Sequence, residues 1–297
     1  MSYTEKFLSP HIQANVSASL LEDMRDLSRR RHGEKAAEYQ ALDYTALLIE
    51  KDKMGHASVI TRQDAVLCGT PWFDACFNML DPDCTLTWQA KEGDTIKAGQ
   101  TLCDISGKAR AMLTAERSAL NFLQTLSATA TATRQYVELI KGTHAKIYDT
   151  RKTLPGLRIA QKYAVHVGGG ENQRMALFDG VLIKENHILA AGGIRQVLEQ
   201  AQHSAPASIS IQIEVETLDE LNQSLEAGAK LILLDNFSLD MMRDAVTLTA
   251  GRAELEASGG VNLQTVRAIA ETGVDRISIG TLTKDIQSID LSMRFKL

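Results

Sequence analysis

After Gly142 the chain alternates between short apolar runs and longer amphipathic stretches, and this alternation repeats six times. The runs are rich in β-branched residues, whereas the stretches between them carry apolar residues at helical spacing. Buried strands separated by amphipathic helices are typical of a parallel sheet covered by helices. No glycine-rich dinucleotide-binding fingerprint opens the first unit, which disfavours a dinucleotide-binding sheet. The predicted strands are residues 145–149, 180–183, 208–213, 231–234, 254–257 and 276–279.

Polar or glycine residues directly follow each of these apolar runs. In a β/α barrel the carboxyl ends of the strands meet at one mouth, where barrel enzymes keep their active sites. One such residue alone would more often be a helix cap than a ligand. Six caps in succession explain the pattern poorly, so we expect a β/α barrel of about six parallel strands, which need not close completely. The strand-end residues are Thr150, Arg151, Lys152, Lys184, Glu214, Asp235, Ser258, Gly259, Gly260, Gly280 and Thr281.

The chain before the barrel has a different pattern. An amphipathic helix is predicted at 17–31, and short strands with period-two alternation and glycine turns follow it. A long alanine-rich helix is predicted at 114–142, where Gly142 suits a C-cap. We therefore expect an α/β protein with a smaller N-terminal α+β domain. The expected domains are 1–114 for the N-terminal domain, joined by the C-terminal tail 284–297, and 115–283 for the β/α-barrel catalytic domain.

The composition limits the kinds of partner. The chain has 297 residues, enough for two domains, and a formal net charge of -5. Binding to a nucleic-acid backbone needs a basic excess, so no nucleic-acid partner is expected. No apolar run approaches a membrane span, and the first residues resemble neither a signal peptide nor a targeting helix, so no membrane partner is expected. The four cysteines form no C-x-x-C pair, which disfavours zinc and redox motifs and fits a reducing cytoplasm.

Four cations are concentrated at the predicted barrel mouth of this acidic protein. Few acidic residues lie near them in the sequence, so packing into the core explains them poorly. Arginine binds carboxylates and phosphates through two parallel hydrogen bonds, and lysine acts on the same groups as a movable point charge. The cluster therefore predicts a site for a small polyanion; the alternative is ordinary solvated loop cations. The four are Arg151, Lys152, Lys184 and Arg174, which follows a triple glycine.

Two glycine turns at the ends of the last two predicted strands favour a phosphate site. Glycine lets backbone N–H groups approach a phosphate, and a helix N-terminus adds its positive pole. Ser258, Gly259 and Gly260 precede a helix expected to begin near Asn262. A second turn, at Gly280 and Thr281, follows the last strand. This position matches the usual phosphate site of barrels.

Two carboxylates, Glu214 and Asp235, end neighbouring buried strands at the same mouth. Carboxylates beside a cationic pocket either coordinate Mg²⁺ or accept hydrogen bonds from sugar hydroxyls. The alternative is an ion pair with Lys184 or Lys152. The sequence leaves these possibilities open.

The segments that carry these residues, DTRKTLPGLR, KYAVHVGGGENQR and LIKENH, resemble quinolinate phosphoribosyltransferase, also called carboxylating nicotinate-nucleotide pyrophosphorylase. The resemblance includes AERSALNFLQTLSATAT upstream and IEVE, LLDNF, EASGG and ISIGTLT downstream. It covers the chain from about Ala115 to the end, with a weaker similarity before that. It implies transfer of phosphoribosyl from phosphoribosyl pyrophosphate to quinolinate with decarboxylation. The products would be nicotinate mononucleotide, pyrophosphate and CO₂, in NAD biosynthesis, with Mg²⁺ as cofactor.

The resemblance also implies roles for single residues. Arg151, Arg174 and Lys184 would bind quinolinate, and Lys152 with Mg²⁺ would stabilise the leaving pyrophosphate. Glu214 and Asp235 would face the ribose and its metal. Further substrate contacts would come from Thr150, Gln173, Ser258, Gly259, Gly260, Ile279, Gly280 and Thr281.

Two positions carry additional expectations. Arg117 would be supplied to the neighbouring subunit's site in a homodimer; from the residues alone it is equally well half of a surface ion pair with Glu116. Gln173 stands where the family commonly has His. A glutamine can donate a hydrogen bond to a carboxylate but cannot carry charge or move a proton. This weakens any acidic role at that position.

Two kinds of alternative remain open from the sequence. A relative of the same family could use another acceptor, such as nicotinate without decarboxylation, or be one of the molybdenum-linked homologues. The density of cations favours a dicarboxylate. From a different class, the chain could be a non-catalytic sensor of a pyridine or sugar phosphate. Retention of Glu214 and Asp235 argues against a sensor, which would need the cations but not the metal and diol contacts.

Overall fold

The structure is a computed structural model, and it describes residues 3–24 and 43–296. The chain divides into two compact units. The first contains the chain up to Thr131, Pro155–Gly168 and the chain from Ile286 onwards, and the second contains Ala132–Leu154 and Gly169–Asp285. None of the described helices is long and apolar enough to cross a membrane.

The elements are numbered in chain order. The strands are β1 (Met54–Thr61), β2 (Ala65–Val66), β3 (Thr85–Trp88), β4 (Thr95–Ile96), β5 (Thr101–Lys108), β6 (Lys146–Tyr148), β7 (Val181–Ile183), β8 (Ile211–Val215), β9 (Leu231–Asp235), β10 (Glu254–Ser258), β11 (Arg276–Ser278) and β12 (Leu291–Phe295). The helices are α1 (Glu5–Met24), α2 (Thr70–Leu80), α3 (Ala109–Leu139), α4 (Arg158–Val167), α5 (Glu185–Ala191), α6 (Ile194–Ser204), α7 (Leu218–Glu226), α8 (Leu239–Thr249), α9 (Val266–Ala270) and α10 (Thr281–Lys284).

The first unit is built on an antiparallel sheet in the order β12-β1-β5-β3. β12 pairs with β1, so the C-terminal tail is part of this unit. Aromatic side chains of α2 fill its core: Trp72, Phe73 and Phe77 have at most 1% of their surface exposed. The helix predicted at 17–31 corresponds to α1, which begins at Glu5; residues 25–31 lie outside the described residues.

Two helices are divided between the units differently from what the sequence predicts. The helix predicted after the first barrel strand is α4, and it belongs to the first unit, because its buried residues Ala160 and Ala164 pack into that unit's core. The predicted domain boundary between 114 and 115 falls inside α3. The compact units divide near Thr131 instead. A continuous helix carries no break in its sequence pattern where its packing partner changes.

The second unit contains one parallel sheet in the order β6-β11-β10-β9-β8-β7. Six parallel strands with connecting helices in the second unit, and an antiparallel sheet in the first, confirm the predicted fold class. β6 and β7 are the ends of the sheet and do not pair with each other in the described chain; a single bridge between Tyr148 and Glu171 extends the β6 edge. The barrel is therefore incompletely closed.

Side chains alternate between the two faces of a strand, and this alternation builds two layers on the inner face of the sheet. The outward-facing residues, such as Ile213, Ile232 and Ala257, are fully buried. We call the deeper inner layer the floor and the strand-end layer the rim. The floor consists of Leu182, Gln212, Leu233, Glu256 and Ser278. The rim follows two positions later on each strand and consists of Lys184, Glu214, Asp235, Ser258 and Gly280.

Candidate functional site

A cavity of about 230 Å³ lies at the carboxyl ends of the parallel strands. All of its lining residues belong to the second unit. Eight of the predicted site residues line it: Thr150, Arg151, Lys152, Gln173, Arg174, Lys184, Glu214 and Ser258. The five floor residues line it as well, and none of them was predicted. The predicted residues Asp235, Gly259, Gly260, Ile279, Gly280, Thr281 and Arg117 are not among the lining residues.

Arg151 and Arg174 supply two guanidinium groups to this cavity. Arg174 packs over Gly180, and its Nη1 donates to the Gly180 carbonyl at 2.9 Å, which fixes the side chain. Burial and the nearby charge of Arg151 lower the pKa of Arg174. Arg151 Nε is buried and has no hydrogen-bond partner within the described residues. Two mutually repelling cations and an unused buried donor form a site that a polycarboxylate would satisfy.

Lys152 packs over Gly280, which follows the neighbouring strand β11. Its backbone N–H donates to Thr150 Oγ1 at 3.0 Å, and its carbonyl accepts from Thr283 Oγ1 at 3.0 Å. A Cβ added at Gly280 would lie 2.9 Å from Lys152 Cδ. Glycine at position 280 therefore leaves room for the lysine stem and directs an exposed ammonium group over the mouth.

Lys184 forms an ion pair with Glu214, in which Nζ and Oε2 are 2.6 Å apart. This is the ion pair that the sequence left open as an alternative role for Glu214. The Lys184 side chain is 50% exposed and that of Glu214 is 15% exposed, so the lysine remains accessible from the mouth. The pair orients both groups toward the cavity that they line.

The carboxylates at the ends of β8 and β9 are not helix caps. Thr217 caps α7 by accepting from Glu220 N, and Ser238 caps α8 by accepting from Met241 N. Because separate residues satisfy these helix N-termini, neither Glu214 nor Asp235 is needed as a cap. Asp235 Oδ2 accepts from Asn236 Nδ2 at 3.0 Å.

The turn after β10 contains two glycines in left-handed conformations, with φ of 99° at Gly259 and 60° at Gly260. Within the described residues their backbone N–H groups have no hydrogen-bond partner. The helix expected near Asn262 instead begins at Val266. Asn262 Oδ1 already accepts from the backbone N–H groups of the two residues before that helix. The free donors of this turn are therefore the glycine amides, and the helix N-terminus lies further along the chain than expected.

The turn after β11 offers a second set of donors. Thr281 Oγ1 is buried without a hydrogen-bond partner in the described part of the chain. The backbone N–H groups of Gly280 and Thr281 are likewise unpartnered there. A substrate contact of Ile279 stays a prediction; its N–H donates to the Tyr148 carbonyl at 2.9 Å and its side chain is 2% exposed. β10 and β11 are neighbours in the sheet, so the two turns are adjacent.

Gln173 reaches the floor from the segment before β7. Its backbone N–H donates to Asp149 Oδ1 at 2.9 Å, and Asn172 Nδ2 donates to Asp149 Oδ2 at 2.6 Å. Its side-chain Nε2 donates to Glu256 Oε2. Burial raises the pKa of Glu256. The sequence signal for the floor residues Gln212 and Glu256 was a polar residue at an inward-facing position of a strand.

Two further predictions concern Arg117 and the residues that would hold a metal ion. Arg117 is an exposed residue of α3 in the first unit. Burial raises the pKa of the neighbouring Glu116 carboxyl, and the positive charge of Arg117 opposes that shift. Within residues 3–24 and 43–296 no group of three or more His, Cys, Asp or Glu side chains is arranged to hold a metal ion. Mg²⁺ is usually bound by one or two carboxylates together with substrate phosphates and water. Glu214 and Asp235 are two carboxylates on the neighbouring strands β8 and β9.

These features define a class of protein: a β/α barrel with a cavity lined by cations at the carboxyl ends of its strands and unpartnered backbone amides on two adjacent turns. Two family models match the chain. Residues 129–294 match the C-terminal domain of quinolinate phosphoribosyl transferase, and residues 43–127 match its N-terminal domain.

Similar proteins cover most of the chain. A solved structure of nicotinate-nucleotide pyrophosphorylase from Francisella tularensis is 41% identical, covers 97% of this chain and 96% of its own, and has a TM-score of 0.89. A probable carboxylating nicotinate-nucleotide pyrophosphorylase of Bacillus subtilis is 38% identical over 251 residues, which is 84% of this chain and 87% of the relative. A chloroplastic relative from Arabidopsis thaliana is 38% identical over 256 residues, or 80% of this chain and 73% of its own. The chain belongs to the quinolinate phosphoribosyltransferase family.

Proposed function

We propose that this chain transfers the phosphoribosyl group of phosphoribosyl pyrophosphate to quinolinate and decarboxylates the product. Nicotinate mononucleotide, pyrophosphate and CO₂ are released, which is a step of NAD biosynthesis. The observation that carries the proposal is the composition of the cavity. Four cationic side chains and two protein carboxyl groups, those of Glu214 and Glu256, line a volume of about 230 Å³. Unpartnered amides lie on the adjacent turns. Both substrates are polyanions, and the family relationship supports the same reaction.

Arg151 and Arg174 bind the two adjacent carboxylates of quinolinate in this proposal. Each guanidinium can form two parallel hydrogen bonds with a carboxylate, and the anion relieves the repulsion between the two cations. The fixed Arg174 side chain sets the direction of approach. Lys184, held by Glu214, adds a third positive charge at the rim. The pyridine nitrogen is then presented to the sugar.

The donor occupies the side of the mouth formed by β8 to β11. The amides of the two glycine turns bind its terminal phosphate, supported by the buried Thr281 hydroxyl. Glu214 and Asp235 bind the ribose hydroxyls and would hold Mg²⁺ together with the donor's pyrophosphate. When bound, Mg²⁺ neutralises negative charge that develops on the pyrophosphate. Lys152 adds a positive charge on the same leaving group.

The reaction needs no organic cofactor. The quinolinate nitrogen forms a bond to the anomeric carbon while the bond to pyrophosphate breaks, and the sugar passes through an oxocarbenium-like state. The pyridinium formed is positively charged, so it stabilises the electron pair left on the ring when the neighbouring carboxylate leaves as CO₂. A proton then adds to that carbon and gives nicotinate mononucleotide. The contribution of the chain is orientation of the reactants and electrostatic stabilisation of the leaving group.

The proposal is tested by measuring pyrophosphate and CO₂ release with quinolinate, nicotinate and nicotinamide in parallel, with and without Mg²⁺. We expect both products with quinolinate only, and loss of turnover when Mg²⁺ is chelated. Pyrophosphate release with nicotinate and none with quinolinate would assign a different acceptor. Tight binding of quinolinate and donor without any turnover would instead support a sensor.

We further propose a homodimer in which Arg117 completes the neighbouring chain's cavity. The exposed position of Arg117 supports this role. Leu177 and Phe178, next to the cavity-lining segment, are 73% and 76% exposed, and an apolar surface of this kind suits coverage by a second chain. A symmetric dimer would contain two such composite sites.

Subunit mixing tests the composite site. Arg117→Ala and Lys184→Ala are each expected to be nearly inactive. In a random mixture about half of the dimers contain one chain of each kind, and each of these has one intact site, so about a quarter of the wild-type activity should return. If Arg117 serves its own chain, the mixture will have only the average activity of its parents, although affinity tags show that mixed dimers have formed.

We also propose that the protein works in the cytoplasm. Its four cysteines, Cys68, Cys76, Cys84 and Cys103, are all buried free thiols. Burial raises the pKa of each, which keeps the reactive thiolate rare. Unpaired structural thiols fit a reducing compartment. Localisation of a fluorescent fusion, with a cytoplasmic and an exported protein as references, tests this assignment.

A further inference from the structure

A polar network forms part of the cavity floor, beneath the rim residues that are proposed to bind the substrates. Glu256 is 0% exposed and Gln212 is 4% exposed. Gln212 Nε2 donates to Glu256 Oε2 at 2.9 Å, and Gln173 Nε2 donates to the same oxygen. All three side chains line the cavity. A carboxyl group in the floor of a polyanion site requires an explanation, because it opposes the ligand that the rim attracts.

The hydrogen bonds of Gln173 determine what it can offer to a ligand. A glutamine Nε2 carries two hydrogens. Both have acceptors on the floor, since Glu256 Oε2 accepts one and Gln212 Oε1 lies 3.5 Å from the same nitrogen. The backbone is also fixed, through the bond from Gln173 N to Asp149 Oδ1. Gln173 is therefore held with its amide nitrogen toward the floor and not toward a carboxylate in the cavity.

The surroundings of Glu256 show why its carboxyl should be kept apart from a bound carboxylate. One of its oxygens, Oε1, is buried and without a hydrogen-bond partner in the described part of the chain, so Glu256 is bound through Oε2. Its hydrogen-bond partners Gln212 and Gln173 are neutral, and the positive charge that acts on the carboxyl is that of Arg276 on β11. A dicarboxylate in contact with it would experience repulsion in a partly desolvated site. The other charged groups around it are Arg151, Lys152, Arg174, Lys184 and Glu214 from the cavity wall, Arg276 from β11 and Asp149 behind Gln173.

We infer that Gln173 separates the Glu256 carboxyl from the carboxylates of the acceptor and does not itself bind them. Glu256 and Gln212 are positioning residues in this arrangement, because their hydrogen bonds hold the Gln173 amide over the floor. The arginines of the cavity then select an anionic acceptor, and the buried Glu256 carboxyl in the floor does not contact that acceptor. The inference deepens the proposed function and rests on it only for the identity of the natural acceptor.

Binding of an inert probe separates the inference from the reaction. Phthalate has the two adjacent carboxylates of quinolinate but no nucleophilic nitrogen, and benzoate has one carboxylate. Their dissociation constants are measured by calorimetry at about pH 8 for the wild type, Gln173→Ala, Glu256→Gln and the double variant. Glu256→Gln keeps the size of the side chain and removes its charge. Donor binding and thermal unfolding of each variant show whether the fold is intact.

We expect Gln173→Ala to weaken phthalate at least tenfold and benzoate less than threefold. Glu256→Gln alone should bind phthalate within threefold of the wild type. The double variant should bind phthalate at least fivefold more tightly than Gln173→Ala, because Glu256→Gln removes the carboxylate charge that Gln173→Ala exposes.

Three results would overturn the inference. A double variant as weak as Gln173→Ala would mean that Gln173 binds the acceptor directly. Unchanged phthalate binding in Gln173→Ala would mean that it covers nothing, and a wild-type chain that does not bind phthalate would mean that the cavity is not a dicarboxylate site. Phthalate binding and rescue as expected, but no turnover of quinolinate, would contradict the proposed function alone.

Discussion

Gly259 and Gly260 share one turn but differ in the space that a methyl group would find, and this makes them a matched pair. Both have left-handed backbones. A Cβ at Gly260 meets nothing within 4 Å. A Cβ at Gly259 would overlap the carboxamide of Asn236, with Cγ at 2.7 Å, and lie 3.1 Å from its backbone N. Gly260→Ala therefore introduces backbone strain only, whereas Gly259→Ala also displaces the turn after β9.

The magnitudes follow from these contacts. A left-handed alanine costs roughly 1–2 kcal/mol, partly offset by the lower entropy of the unfolded chain, so Gly260→Ala should lose about 1 kcal/mol. This corresponds to a fall in Tm of about 2–4 °C for a unit of this size. Gly259→Ala should lose a further 1–3 kcal/mol, roughly, from overpacking. Asn236 cannot move freely, because its N–H donates to the Ser258 carbonyl at 3.0 Å.

The functional consequence should be larger than the loss of stability. Asn236 Nδ2 supports Asp235, and the displaced glycine amides are the proposed phosphate donors. We expect Gly259→Ala to raise the dissociation constant of phosphoribosyl pyrophosphate at least tenfold, or about 1.4 kcal/mol. Gly260→Ala should change it less than threefold, since its N–H group stays in place. Calorimetric titration of both variants below their melting temperatures measures the difference.

A rescue variant separates steric overlap from other causes. Asn236 has a φ of 56°, which glycine adopts without strain, so Asn236→Gly removes the carboxamide while keeping the backbone. Combined with Gly259→Ala it should restore part of the lost Tm. Equal donor affinities in the two alanine variants, or a double variant no more stable than Gly259→Ala, would refute the steric reasoning.

Three further predictions concern single side chains. Arg174→Lys should weaken quinolinate more than tenfold and leave donor binding nearly intact, whereas Asp235→Asn should do the reverse; titrations in which both variants lose the same ligand would refute this division. Gln173→His should keep turnover within tenfold of the wild type, because an imidazole N–H can replace the amide donor to Glu256, and steady-state kinetics would reveal a fall to background. Asp74→Asn should raise Tm above that of the wild type at about pH 8 and not at about pH 4: burial raises the Asp74 pKa to about 6 from 3.8, so ionisation as the pH rises weakens the folded state. An equal Tm difference at both pH values would refute this assignment.

The strands of the barrel could be predicted because short runs of strand length alternate with amphipathic helices along this part of the chain. The predicted run at 231–234 is β9, which ends one residue later at Asp235. Other features lacked such a signal. α1 contains Pro10, which normally marks a helix break, and the pattern alone placed its start twelve residues too late, at 17 and not at Glu5. The assignment of α4 to the first unit depends on tertiary packing, which no local periodicity records.

The rim of the cavity was predictable for the same reason that its floor was missed. Rim residues such as Lys184 follow an apolar run, so a change from apolar to polar marks them. Glu256 lies inside β10, where its neighbours Leu255 and Ala257 are buried against the other face. Reading alternate residues inward from Ser258 reaches Glu256, and the same step from Glu214 reaches Gln212. Two polar residues at equivalent inward positions of a buried parallel sheet need hydrogen-bond partners, and their closest available partners are each other. The polar floor was therefore encoded in the alternation, but its contact with Gln173 depends on how the segment before β7 folds.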